Sequence, residues 1–342
     1  SPRLRYVYGI IASEKPETFD VAGVDDRGGE VFAVCHGGLA AVVSPSRSAD
    51  YRSMARQQAL RSLTAHQRVL EVVMERFAVL PVRFGTVLSG DAGVRRLLEQ
   101  GAVPFASGLA EFSGRTQTEV LVTWRLEDLF RDIGAEPEIV RAKAEAADQP
   151  PEHAAAARLA VGKMVQASLD RRRAELQSRL MPCLREASLD LAVNALMDDR
   201  MVLNVALLLD PPRREALDRV LGELDRRSEG RLTFRCVGPL PPYSFATVTV
   251  EAMNFASVDQ ARRLLLLEER ATPQDIRRAY RALAARWHPD VNAGQQTGAM
   301  ATLNDAYALL TAYTGGAAPE DGRVAERAFA FHRASVATRL LI

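Results

Sequence analysis

The side chains best suited to metal binding or nucleophilic chemistry are five histidines (His36, His66, His153, His288 and His332) and three cysteines (Cys35, Cys183 and Cys236). Their spacing offers neither chemistry. The histidines form no HExxH or HxH pattern, and the cysteines are far apart, odd in number and without a CxxC pair. No GxGxxG or GxxxxGK loop is present to cradle a phosphate, and Ser244 sits in no GxSxG elbow. The expectation is a protein that is not an enzyme, with no catalytic residue, no metal and no cofactor. His66 lies between apolar helix positions and is expected on the helix surface or at the edge of a core. The Arg171-Arg172-Arg173 run is expected on a solvated helix face. One constellation stands apart. His288-Pro289-Asp290 ends a basic amphipathic segment that carries Arg277, Arg278, Arg281 and Arg286.

Composition bounds the scaffold around these residues. With 342 residues, 47% hydrophobic and 25% charged, the chain has room for two or three cores. Lysine and arginine total 44 against 43 acids, and a net charge of +1 gives no general attraction to nucleic acid or anionic lipid. No uncharged apolar stretch approaches the roughly 20 residues that span a bilayer, and the start is strand-like rather than signal-like. A soluble, cytoplasmic chain with neither nucleic-acid nor membrane partners is expected.

Hydrophobic periodicity places the elements. Leu4 to Ile11 predicts a strand, and Val31 to Val34 with Leu39 to Val43 predict a hairpin around His36-Gly37-Gly38. From Ser53 to Phe77 the period becomes helical, with Leu60, Leu63, Val69, Leu70 and Val73 on one stripe expected to pack on the sheet. Val79 to Phe84 predicts a strand, Asp91 to Gln100 a helix and Thr118 to Leu126 a strand, which closes a first α+β domain over residues 1–133. Residues 134–157 are rich in alanine and charge and are broken by Pro137 and Pro150-Pro151, so a connector is expected. A helix from Arg158 to Leu180, strands at Met201 to Leu209, Leu232 to Val237 and Phe245 to Val250, and a helix from Arg213 to Arg227 predict a ferredoxin-like domain over 158–256.

Four blocks in order carry a family resemblance. Tyr6-Val7-Tyr8-Gly9-Ile10, Leu39-Ala40-Ala41-Val42-Val43-Ser44, Val79-Leu80-Pro81-Val82-Arg83-Phe84-Gly85-Thr86 and Gly238-Pro239-Leu240-Pro241-Pro242-Tyr243-Ser244-Phe245 resemble the gas-vesicle F/L family (GvpF/GvpL). They span residues 1 to about 252. On the residues themselves the blocks are structural. Pro81 suits a strand edge, Gly85 a sharp exit, and the fork of Arg83 suits a carboxylate or a row of carbonyls. Pro241 and Pro242 stiffen an approach to a strand, Ser244 lies between, and Tyr243 and Phe245 are expected buried or at a seam.

A second resemblance begins at Thr272-Pro273-Gln274-Asp275, a helix start with threonine at the cap and proline at the first helical position. Ile276, Ala279, Tyr280, Leu283 and Trp287 share one face, Pro289 ends the helix, and Ala299 to Ala312 predicts a returning helix. With a preceding helix at Asp259 to Leu267, residues 257–316 resemble a J domain of DnaJ type. That resemblance implies docking of a DnaK-type chaperone on His288, Pro289 and Asp290, supported by Arg277, Arg278, Arg281 and Arg286. Ala282 and Val291 stand where J domains often carry basic residues. Residues 317–342 form a tail expected to pack a short helix back on a domain.

The expected architecture is therefore α+β, two α+β domains with the second ferredoxin-like, plus a C-terminal helical J-like hairpin. The family resemblance implies a gas-vesicle assembly protein that contacts the shell protein GvpA and other accessory gas-vesicle proteins. Two alternatives stand beside it: a J-domain cochaperone with gas-vesicle clients, and a minor structural component of the shell.

Overall fold

The computed structural model describes residues 4–25, 29–48, 50–51, 53–287, 297–314, 328–337 and 340–341. Contacts divide the chain into two units, Ser1–Ala110 with Val248–Ile342, and Glu111–Thr247. The fold is α+β, as the sequence predicts, but the first boundary falls at residue 110 and not near 133.

The first unit is built around strand β1 (Leu4–Ala12), in a sheet with β2 (Thr18–Phe19), β3 (Val31–His36), β4 (Leu39–Ser46), β5 (Val79–Pro81) and β6 (Val87–Ser89). The order is β2-β3-β4-β1-β5, with β6 also on β1. All pairings are antiparallel. Tyr6, Val7, Tyr8, Ile10 and Ile11 are all fully buried. Both faces of β1 are thus covered, which is why its sequence runs apolar without alternation. Helices α1 (Arg56–Met74), α2 (Gly90–Gln100) and α3 (Ala102–Glu111) complete this layer. Helix α1 buries Ser62, His66, Val69, Leu70 and Val73. Leu60 and Leu63, expected on the same stripe, are 64% and 37% exposed. At 100° per residue Leu60 lies opposite Val69, and Leu63 lies at the margin of the stripe beside Leu70, so helical spacing alone merged two faces.

The second unit holds β7 (Thr116–Trp124), α4 (Leu126–Gly134), α5 (Pro137–Ala147), α6 (Pro151–Glu186), β8 (Asp190–Val193), β9 (Met201–Leu209), α7 (Pro211–Ser228), β10 (Leu232–Leu240) and the single turn α8 (Tyr243–Ala246). Its sheet order is β10-β7-β9-β8, the β-α-β-β-α-β arrangement of a ferredoxin-like fold. The first strand of that fold is β7, which the sequence reading assigned to the preceding domain. Val120 and Val122 of β7, Val205, Leu207 and Leu209 of β9, and Leu129, Ile133, Ile139, Leu169, Leu184 and Leu217 from the helices share one core.

Three expectations fail here. Residues 134–157 are not a connector, because Pro137 and Pro151 each open a helix. Proline at the first helical position loses no hydrogen bond, so these residues start helices where they were read as breaks. The arginine run on α6 is also less solvated than expected. Arg172 bonds Glu136 at 2.8 Å, and Arg173 bonds the Met201 carbonyl at 3.1 Å while its guanidinium lies 5.6 Å from the Trp124 ring. The strand predicted at Phe245 to Val250 is absent. Tyr243–Ala246 is helical, and only Val248 makes a bridge, to Val82.

The remainder of the first unit comprises β11 (Glu251–Ala252), α9 (Phe255–Leu264), β12 (Arg270–Ala271), α10 (Pro273–Trp287), α11 (Thr297–Tyr313), β13 (Phe329–Ala330), α12 (Arg333–Ala337) and β14 (Leu340–Leu341). The tail packs back as expected. β13 pairs with β12, β14 pairs with β11, and Phe329, Phe331 and Val336 are buried with Val258, Leu303 and Leu310.

Close packing on β1 yields a first prediction. A Cβ at Gly9 would stand 2.7 Å from Val79 Cγ2, 2.8 Å from Leu70 Cδ2 and 3.0 Å from the Leu80 carbonyl oxygen. Gly9→Ala should therefore destabilise the protein by about 1–3 kcal/mol, read as a lowered urea midpoint with an unchanged slope.

Candidate functional site

The block Val79–Thr86 is a strand that leaves β1 and returns to it. The Val82 N–H donates to the Tyr8 carbonyl at 2.8 Å, and the Val7 N–H donates to the Thr86 carbonyl at 2.9 Å. Between these anchors Gly85 adopts φ +84°, where a side chain is strained. Its N–H donates to the Tyr6 hydroxyl at 3.0 Å, and that hydroxyl lies 2.9 Å from His66 Nδ1. The Tyr6 hydroxyl thus accepts from Gly85 and shares a second hydrogen bond with Nδ1, whose direction follows the imidazole tautomer. Burial pulls the His66 pKa down to about 4 from its ordinary 6.5, and burial also raises that of Tyr6.

Aromatic rings enclose this network. Tyr8 and Tyr51 lie 4.8 and 4.9 Å from the Tyr6 ring, and Phe84 packs edge-on to His66 at 5.8 Å. Tyr8 shares a hydrogen bond with Ser44 at 2.8 Å, and Tyr51 donates to Asp25 at 2.9 Å. Pro81 is buried and Phe84 half-buried. Arg83 does not hold a carboxylate among the described residues. Its side chain is exposed, and its backbone does the positioning: the N–H donates to the Val248 carbonyl at 2.8 Å, and the carbonyl accepts from Thr86 Oγ1 at 2.7 Å. Val248 in turn donates to the Pro81 carbonyl at 2.7 Å.

The second block is fastened through Gln117, which is 1% exposed and accepts the Ser244 N–H at 2.8 Å. Pro241 and Pro242 are buried, Tyr243 and Phe245 half-buried and Ser244 exposed. Ser244 and Phe245 line a cleft of about 490 Å³ together with Phe112, Arg115, Asp190 and Leu208. Sequence reading missed Gln117; its signal is a position inside the alternating strand Thr116–Trp124, where an amide needs a partner.

In the helical hairpin the predicted cap is present and reciprocal. The Asp275 N–H donates to Thr272 Oγ1 at 3.1 Å, while Thr272 Oγ1 and the Thr272 N–H donate to the Asp275 carboxylate at 2.7 and 3.0 Å. These bonds hold the Asp275 carboxyl below its ordinary pKa. Leu283 packs with Leu303 and Leu310, and Tyr280 stacks on Tyr307 at 4.2 Å and donates to Asn304 at 2.9 Å. Arg278, Arg281 and Arg286 are exposed and Arg277 half-buried, while Arg278 approaches Asp275 at 3.7 Å. His288, Pro289 and Asp290, and the side chain of Trp287, lie outside the described residues.

Comparison with known proteins agrees with both halves of this description. The family model for gas vesicle synthesis protein GvpL/GvpF matches residues 4–247. The chain belongs to the GvpL/GvpF family. A DnaJ domain model matches residues 263–314 of this GvpL/GvpF protein. Gas vesicle protein L of Streptomyces sp. (strain CB03234) is 30% identical over 284 residues, covering 74% of this chain and 96% of the relative. Gas vesicle protein L1 of Halobacterium salinarum is 28% identical over 261 residues, covering 71% and 90%. The crystal structure of GvpF from Anabaena sp. PCC7120 shares the fold, with a TM-score of 0.59 at 20% identity over 72% of this chain and 99% of that one. A gas-vesicle role follows from this membership.

In this GvpL/GvpF protein, then, the signature blocks fold as internal ties. Among the described residues no group of three histidine, cysteine or acidic side chains is placed to hold a metal, and no helix is long and apolar enough to cross a membrane. His66, expected at a helix surface or core edge, is 2% exposed. Its spacing from Ser62, Val69 and Val73 places it on the buried stripe.

The buried imidazole makes stability depend on pH. A folded-state pKa near 4 against an ordinary 6.5 means that the unfolded chain binds the extra proton between those values. The contribution of His66 is fully present above pH 6.5 and is lost as pH falls toward 4, up to about 3 kcal/mol. Chemical denaturation from pH 7 to 4.5 should show this slope, flattened in His66→Gln. Tyr6→Phe should cost about 1–3 kcal/mol at pH 7, because the Gly85 N–H loses its acceptor.

Proposed function

We propose that this GvpL/GvpF protein is an assembly factor that binds the shell protein GvpA and other accessory gas-vesicle proteins while the shell is nucleated or extended. Its action is binding. A subunit that polymerises through apolar surface aggregates unless it is escorted, and an escort needs rigid scaffolds with docking faces more than it needs reactive groups. The observation that carries the reading is the joining, in one chain, of a GvpL/GvpF region over residues 4–247 to a DnaJ-like region over 263–314.

The same observation favours a second role for the hairpin, recruitment of a DnaK-type chaperone to gas-vesicle clients. The tail packs on α9, α11 and β12, and Arg278, Arg281 and Arg286 on α10 are left exposed. Such a row of guanidinium groups raises the encounter rate with an acidic surface, and the gain is screened over about 8 Å at physiological ionic strength.

Two measurements separate these roles from retention as a minor shell component. Affinity capture with the full chain should recover GvpA when the two are co-expressed, and purified intact vesicles should hold the chain at far less than stoichiometric amounts. Stable retention at a fixed ratio would support the shell-component alternative instead. In the second measurement the full chain should raise the ATPase rate of a DnaK-type chaperone from the same source. His288→Gln should remove that stimulation and leave GvpA capture intact. Equal ATPase rates for the wild type, the variant and the chaperone alone would remove the cochaperone role and leave the assembly role standing.

A further inference from the structure

Helix α1 carries a face that the first unit does not use. Arg56, Leu60, Leu63 and Gln67 follow one another at i, i+4, i+7 and i+11, which sets them in a line along the helix. That line lies beside the stripe of Ser62, His66, Val69 and Val73, and its next position, Leu70, is itself buried, so only the stretch from Arg56 to Gln67 is outward. Leu60 is 64% exposed and Leu63 37%. Arg61 and Arg68 flank the line.

The charge on this face is one-sided. No aspartate or glutamate occurs between Asp50 and Glu71, in a chain that carries 43 acids against 44 bases. Arg56 and Arg61 are exposed and pair with no carboxylate among the described residues, and Arg68 meets only Glu71, at 3.5 Å. Arginines on several other helices are neutralised internally. Arg131 pairs with Asp128, Arg179 with Glu175, Arg227 with Glu223, and Arg262 and Arg263 with Asp259.

We infer that the outward face of α1 is a docking surface for an acidic amphipathic helix of a co-assembling gas-vesicle protein. The inference rests on the gas-vesicle role proposed above for the source of the partner, and it does not require that partner to be GvpA. Alternating steps of four and three residues are the spacing that a second helix meets along a seam. Leu60 and Leu63 supply the apolar centre, and Arg56, Arg61 and Arg68 supply a positive rim that selects carboxylates. A second copy of α1 would set arginine against arginine. Two leucines are also too little apolar surface for a helix to lie in a lipid interface.

The test places a photoreactive benzoylphenylalanine at position 60 of the full chain, with position 103, which is 80% exposed on α3, as the control. The chain is co-expressed with the gas-vesicle proteins of its source, and crosslinked peptides are mapped by mass spectrometry. Position 60 should give an adduct on a helical segment of net negative charge in a gas-vesicle protein, absent from position 103. Arg56→Glu with Arg61→Glu should lower the adduct yield roughly ten-fold with an unchanged melting temperature, since exposed ion pairs are weak singly and reversal turns attraction to repulsion. Raising salt from about 0.05 M to about 0.5 M should lower it as well. No adduct at position 60, or an adduct confined to lipid, to a second copy of this chain or to a basic segment, overturns the docking surface. If GvpA capture persists in that case, only the α1 assignment fails. If no gas-vesicle protein is captured by crosslink or by affinity, the functional reading fails with it.

Discussion

A strand has two hydrogen-bonding edges, and in this protein both edges of β1 are spoken for. One edge carries β4 over its whole length, from Leu4↔Ser46 to Ala12↔Leu39. The other is divided between β5 and β6, which pair at Gly9 to Ile11 and at Leu4 to Tyr6. The chain between them must step off the sheet and come back within a few residues, and the step leaves backbone groups that need partners. Tyr6 supplies one from β1 itself, and His66 on α1 completes that hydroxyl's hydrogen bonding. The position of α1 on the sheet, the turn at Gly85 and the bridge from Val82 to Val248 all depend on this one arrangement.

How much of this was legible depends on whether a residue's partner is near in sequence. The cap at Thr272 and Asp275 was readable because both halves lie within one turn, whereas the ferredoxin-like unit was expected with one strand too many at Phe245 to Val250 and without β7 and β8. Tyr6 and His66 are 60 positions apart, and Gln117 and Ser244 are 127 apart. Neither pairing leaves a local trace beyond a polar residue in an apolar pattern. Arg83 shows the converse error: its side chain was expected to hold a carboxylate or a row of carbonyls, while its backbone N–H and carbonyl make the bonds. Boundaries failed for a different reason. Strand β7 alternates cleanly whichever sheet receives it, so its sequence predicts a strand and is silent about its neighbours.

Proline and leucine were misread in instructive ways. Pro137 and Pro151 look like breaks only when the helix is assumed to surround them; at the first position of a helix they are compatible with everything that follows. Leu60 and Leu63 look like core residues because apolar residues at helical spacing usually are. On α1 the buried stripe is set by Ser62, His66, Val69, Leu70 and Val73, two of them polar, and Leu60 and Leu63 belong to the face beside it. Burial on this helix follows position more closely than hydrophobicity.

The first unit is discontinuous in the chain. Residues 1–110 and 248–342 belong together, and the whole second unit lies between them in sequence. On a ribosome the two halves of the first unit emerge far apart in time, whereas the ferredoxin-like unit emerges in one piece and has every strand of its sheet available once β10 is out. Domains tend to fold as they complete during synthesis. Here the middle of the polypeptide is therefore ready before its beginning is, and the backbone of Val248, which caps the edge beside Pro81 and Arg83, arrives only after that middle has been made. Until then the nascent N-terminal sheet carries an open edge, the kind of surface that pairs with other chains. Translation order thus gives this protein its own interval of exposure, set by the length of the inserted unit and the speed of elongation.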